Sequence, residues 1–163
     1  MGAEVAFLDP LTSIANRRRL EIDVDDAMSA ALYTGRRFGL VQIDLDGFKP
    51  INDRYGHRKG DDVLRHVASL LKLIARKDET VARIGGDEFA MLIGASTDRE
   101  FTAKVDALRR FLDRSMSIAE IEVNVGASVG AAMWTGVETF EELLAVADGE
   151  MYRQKGCRRS RAA

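Results

Sequence analysis

Only one cysteine, Cys157, occurs in 163 residues. An internal disulfide and a cysteine-built metal cage are therefore excluded, and a lone thiol fits a reducing cytosol. No apolar run approaches the roughly 18 residues that a membrane-spanning helix requires, and the N-terminus does not read as a signal peptide. Neither sign of charge dominates: 24 Lys/Arg stand against 26 Asp/Glu, a formal net charge of -2. That balance argues against a general nucleic-acid binder held by a basic surface. Repeats and low-complexity linkers are missing as well, so the length reads as one domain able to bury its own core.

What is present is ordinary for a globular protein, 46% hydrophobic and 31% charged. The charge is uneven at one end. The last eleven residues, "RQKGCRRSRAA", hold five Lys/Arg and no acid, and are expected to form a solubilising, partly disordered tail. Periodicity predicts a helix over 16–32, with Leu20, Val24, Ala27, Met28 and Ala31 on one side. "FGLVQIDLD" (38–46) reads as a strand that stays apolar until it ends in two aspartates. A short helix or turn over 50–55 and an amphipathic helix over 60–75 follow. "TVARI" (80–84) and "FAMLIG" (89–94) read as a hairpin closed by four residues with a glycine pair. Thr97 and Glu100 form a capping box for a helix to about 114, and Thr139 and Glu142 form another for a helix to about 155. Between them, 121–125 and 127–134 read as strands.

The core order is strand, helix, hairpin, helix, strand. It predicts an α/β (α+β) sandwich of ferredoxin-like type, with a central, mainly antiparallel sheet flanked by helices. In that topology the end of the first strand, at Asp44 and Asp46, falls beside the start of the second hairpin strand. Asp44 then lies close to Asp87 and Glu88 of the turn "GGDE". Crowded carboxylates raise each other's pKa, and a hard divalent cation relieves the repulsion through oxygen ligands. Two readings stay open on the residues alone: metal-dependent phosphoryl chemistry, and a solvated strand end beside an acidic turn. Hydrolysis by a carboxylate pair is the weaker reading, since no sugar-binding aromatic platform is apparent.

The wording of the chain adds to this. "GGDEF" at 85–89, "DPLTSIANRRRL" at 9–20, "DLDGFKPINDRYGHRKGDDVL" at 44–64, "SVG" at 128–130 and "ADGEMYRQKG" at 147–156 together resemble the GGDEF-domain diguanylate cyclases. The resemblance covers 9–161 as a single domain and leaves 1–8 as a preceding linker. It implies the nucleotidyl-cyclase or polymerase-palm fold. It also implies condensation of two GTP into cyclic di-GMP and pyrophosphate, by two subunits meeting face to face, each with Mg²⁺ or Mn²⁺.

Residue roles follow from the same resemblance. Asp44, the carbonyl of Leu45 and Asp87 would hold the metal, and Asp87 with Glu88 and Lys49 would serve the chemistry. Gly85 and Gly86 would let backbone approach the nucleotide, with Phe48 at the phosphate end. Asn52 and Asp61 would read the guanine edge, with His57 nearby and read chiefly as a turn residue. Lys155 and Arg159 would hold phosphates. His66 is expected to be exposed on its helix, and Phe89 to anchor the hairpin in the core.

Several positions depart from the family pattern. Ser13 replaces a glycine and is expected to change its loop little. Arg76 and Glu79 stand as "RKDE" where the family's inhibitory product site has arginine and aspartate, so a working inhibitory site is in doubt. Glu150, Arg158 and Ser160 replace alanine, glycine and asparagine. The alternative from another class is a GTP-binding regulatory domain without catalysis, fused to a sensory domain or a cyclic-di-GMP phosphodiesterase. The domain itself is expected in the cytoplasm, within a longer protein that is free to be membrane-anchored elsewhere. Alone, it is expected to be mostly monomeric and weakly active.

Overall fold

The computed structural model describes residues 6–115, 117–118 and 123–162. Residues 121 and 122, the first two of a predicted strand, lie outside them. Twelve elements follow in order: β1 (Ala15–Asn16), α1 (Arg17–Thr34), β2 (Arg37–Asp46), α2 (Phe48–Tyr55), α3 (His57–Ile74), β3 (Thr80–Arg83), β4 (Glu88–Ala95), α4 (Asp98–Ser115), β5 (Ser117–Ile118), β6 (Val123–Asn124), β7 (Gly126–Met133) and α5 (Phe140–Ala162). β5 and β6 form a separate two-stranded ribbon. The main sheet runs β1-β3-β4-β2-β7, antiparallel except for the short β1–β3 pair. This is the α+β sandwich expected from the element order.

Each face of β2 packs against a different layer. Val41, Ile43 and Leu45 enter one core with Val63, Val67 and Leu71 of α3 and Val105, Leu108 and Leu112 of α4. Phe89 is fully buried in the same core, as expected of it. Leu40 on the opposite face joins Leu20 and Val24 of α1 and Phe140, Leu143 and Leu144 of α5. Each fully buried aliphatic side chain contributes roughly 1.5–3 kcal/mol. Gly130 of β7 marks the closest approach of a helix: a Cβ there would stand 2.2 Å from the Ala147 carbonyl and 2.3 Å from the Met151 nitrogen. α5 is seated with its backbone directly on the sheet.

Local signals set most boundaries. The Asn16 side chain accepts from the Arg19 N–H at 3.0 Å and starts α1, which ends at Gly35 in the left-handed conformation (φ 69°). Thr139 and Glu142 make a reciprocal capping box, at 3.3 and 3.0 Å. Thr97 caps α4 in the same way, while Glu100 reaches back to the Ser96 N–H instead. Gly47 (φ 72°) and Gly56 (φ 87°) move two starts: α2 begins at Phe48, and α3 at His57 rather than at 60. The basic tail is a correction. α5 continues through it to Ala162, because apart from Gly156, Cys157 and Ser160 the segment is built of the good helix formers Arg, Gln, Lys and Ala.

Candidate active site

The register of β2 brings the acids together. Asp44 lies opposite Glu88 of β4 on one side and Ser128 of β7 on the other. One residue further, the Leu45 N–H donates to the Asp87 carbonyl at 3.2 Å, which carries the ladder past the end of β4 into the turn. The turn closes on itself, with the N–H groups of Ile84 and Gly85 donating to the Glu88 carbonyl at 2.9 and 3.3 Å. Neither turn glycine has a positive φ. A Cβ on Gly85 would come within 2.6 Å of the Glu88 carboxylate, whereas one on Gly86 would meet nothing within 4 Å. A side chain on Gly85 would thus crowd Glu88, a local contact that stands beside the expected approach of backbone to nucleotide.

The electrostatics are those of a crowded acidic site with Lys155 and Arg83 as counter-cations. Burial and the negative charge of Asp44 raise the pKa of Asp87 above the usual aspartate value. Glu88 is raised by burial and by the charges of Asp44, Asp87 and Asp148. Lys155 of α5 donates to Asp44 Oδ2 and lies 3.7 Å from Asp46 Oδ1. Burial works against the Lys155 ammonium, but its hydrogen bond to Asp44 and the charges of Asp44, Asp46 and Asp87 outweigh burial and raise its pKa. The Ser128 hydroxyl donates to both Asp46 carboxylate oxygens, at 2.8 and 3.1 Å.

These groups open onto a cleft of about 490 Å³. Of the residues expected in the site, Asp44, Leu45, Phe48, Lys49, Asp87 and Lys155 line it. Among the described residues no three carboxylate, imidazole or thiol groups converge tightly enough to cage a metal by themselves. A donor set of one or two carboxylates with backbone oxygen fits an ion such as Mg²⁺, which keeps waters and takes substrate phosphates into its shell. A larger cavity, about 640 Å³, lies under α1 near Lys77, Asp78 and Glu79.

Asn52 faces α3 at Gly60, where a Cβ would stand 1.8 Å from Asn52 Oδ1. That oxygen is buried and has no hydrogen-bond partner, an acceptor left over beside the residue that precedes Asp61. Asp61 is half-buried and His57 exposed. His57 is the first residue of α3, not part of a turn, and His66 is half-buried where exposure was expected. The Arg159 side chain lies outside the described residues.

One positioning device was missed in the sequence. Arg83 donates to the Gly86 carbonyl through Nη2 (2.8 Å) and Nε (3.2 Å), and through Nη1 to Asp9 (3.2 and 3.3 Å). Asp9 also accepts from the N–H and hydroxyl of Thr12, at 2.9 and 2.7 Å. Burial works against the Asp9 charge, yet the bonds from Thr12 and the Arg83 guanidinium hold its pKa below the ordinary value. The opening motif and the acidic turn are thus one hydrogen-bonded unit. The only sequence signal for it was an arginine two residues before the glycine pair, matched to an acid at Asp9.

Two departures find local explanations. Glu150 lies 3.5 Å from Arg109, which bridges to Asp106 and the Val129 carbonyl. Glu79 accepts from the backbone N–H of Arg76 at 2.9 Å and of Gly94 at 3.2 Å. Its carboxylate holds the loop to the sheet.

Comparison with known proteins agrees with this geometry. The family model described as diguanylate cyclase, GGDEF domain, matches residues 6–161. The chain is 37% identical over 153 residues to the bifunctional diguanylate cyclase/cyclic di-GMP phosphodiesterase MucR of Pseudomonas aeruginosa, covering 93% of this chain and 22% of that one. It is 32% identical over 156 residues to the diguanylate cyclase DosC of Escherichia coli, covering 94% and 34%. The chain therefore spans about a third or less of either relative's length. The crystal structure of the coiled coil and GGDEF domain of DgcB from Caulobacter crescentus, in complex with c-di-GMP, superposes with a TM-score of 0.84 at 28% identity, covering 94% of this chain and 83% of that one. With its acidic turn, its strand-end aspartates and its sheet order, the chain belongs to the GGDEF family of diguanylate cyclase domains.

Proposed function

We propose that this domain condenses two GTP molecules into cyclic di-GMP, releasing two pyrophosphates. The observation that carries the reading is the placement of Asp87 beside Asp44 by the Leu45–Asp87 backbone bond, at the mouth of a cleft that also holds Lys49 and Lys155. Asp44, Asp87 and the Leu45 carbonyl would hold Mg²⁺ or Mn²⁺. Such an ion lowers the pKa of a ribose 3′-hydroxyl and neutralises the triphosphate.

The residues of the chain do the rest. Asp87 would help activate the 3′-hydroxyl, with Glu88 next to it in the turn supporting that role. Lys49 and Lys155 offset charge on the departing pyrophosphate, with Arg159 as a further candidate. Asn52 and Asp61 select guanine, because an acid and an amide at that edge would be left unpaired by adenine. Each subunit holds one GTP, so catalysis takes place in a homodimer and the rate rises steeply with protein concentration. Because Glu79 is tied to two backbone amides, product inhibition through Arg76 and Glu79 is expected to be weak. The proposed setting is the cytoplasm, in a longer protein with sensory or phosphodiesterase domains.

The test is a product assay with GTP and Mg²⁺ at high protein concentration, beside Asp87→Ala. Cyclic di-GMP from the parent and none from the variant supports the cyclase. GTP bound tightly and left intact by the parent would replace it with the regulatory, non-catalytic reading.

A further inference from the structure

Lys155 was expected at phosphates, yet its ammonium lies on Asp44 and Asp46. The pair is partly shielded, with the side chains of Lys155 and Asp44 25% and 16% exposed. A divalent ion on Asp44 and the Lys155 ammonium therefore claim the same carboxylate. The helix cannot simply lift away to settle the conflict. Its backbone rests on Gly130, Met151 is buried, and Asp148 and Glu150 are bonded to Gln42 of β2 (3.0 Å) and Arg109 of α4 (3.5 Å). The Lys155 side chain, one turn beyond Met151, can change partner by rotation while the helix stays seated.

We propose that Lys155 is a resident cation whose exchange between Asp44/Asp46 and the nucleotide couples divalent-ion binding to nucleotide binding. This deepens the cyclase reading and rests on it. Without nucleotide, an incoming ion must displace an ammonium from Asp44 and binds weakly. A triphosphate draws the ammonium to itself, bares Asp44 and strengthens ion binding. By linkage, the ion strengthens nucleotide binding by the same factor. Ion and nucleotide then arrive together, and the acids carry a counter-charge at every stage.

The experiment measures Mn²⁺ binding by electron paramagnetic resonance and calorimetry, with and without a GTP analogue carrying an α,β-methylene bridge. The parent, Lys155→Met and Lys155→Arg are compared at the same folded fraction by circular dichroism. The parent should bind Mn²⁺ weakly alone and about tenfold more tightly with the analogue. Lys155→Met should bind Mn²⁺ alone several-fold more tightly than the parent, and lose most of the gain from the analogue. Lys155→Arg should restore it. Equal or weaker Mn²⁺ affinity in Lys155→Met without analogue overturns the exchange while leaving the metal site in place. No Mn²⁺ binding by the parent even with the analogue overturns both the exchange and the metal-dependent cyclase reading.

Discussion

The two faces of β2 divide the labour of the protein along one strand. Val41, Ile43 and Leu45 are buried between α3 and α4 and hold the fold. On the other face, Leu40 is core, Gln42 is a buried amide bonded to Asp148, and Asp44 and Asp46 stand in the cleft. Because successive side chains alternate across a strand, buried aliphatic residues and cleft carboxylates are immediate neighbours. One face is apolar along its length, and the other passes from core at Leu40 to an acidic cluster at Asp44 and Asp46.

Adjacent substitutions break this division if it is wrong. Asp44→Ala should lower product formation about a thousandfold, through loss of a metal-holding carboxylate, and leave the fold intact. Ile43→Ala should do the reverse, costing about 3 kcal/mol in urea denaturation while the folded fraction binds nucleotide normally. Unfolding in the first variant, or lost affinity in the second, would show that the faces are not separable.

A smaller effect sharpens the comparison through pH. Asp87 has a raised pKa in the fold, so the folded chain binds its proton more tightly than the unfolded chain does. Its ionisation therefore costs stability as pH rises through the carboxylate range, and costs nothing below it. Asp87→Asn should raise the Tm by roughly 1–3 °C near pH 7, a gain that fades toward pH 3 and shrinks with added Mg²⁺. A Tm that falls at pH 7 would contradict the crowding of the acidic face.

The smallest effect concerns the opening loop. Ser13 has φ 61°, a left-handed conformation that costs a residue with a side chain. Ser13→Gly should stabilise by about 0.5 kcal/mol, since relief of the backbone is partly offset by glycine's freedom when unfolded. Thermal denaturation reads this directly.

Much of this was legible in the sequence because the signals were local or alternating. The apolar run ending in Asp44 and Asp46 gave the strand, Thr139 and Glu142 gave a helix start, and strand order gave the approach of Asp44 to the turn. What was not legible depended on contacts distant in sequence. Nothing near Arg83 announces Asp9, and nothing near Lys155 announces Asp44. Gly85 reads as a turn residue facing a nucleotide, and its closeness to the Glu88 side chain emerges only in the folded turn. The helical tail escaped notice because a run of basic residues reads equally as a loose end.

The bond from the Leu45 amide to the Asp87 carbonyl sets how far the site can fluctuate. It makes the separation between the two proposed ion-holding residues a property of backbone, with the side chains adding only their last torsions. Little configurational freedom remains to be lost when a ligand arrives, so much of the ordering entropy of binding has already been met during folding.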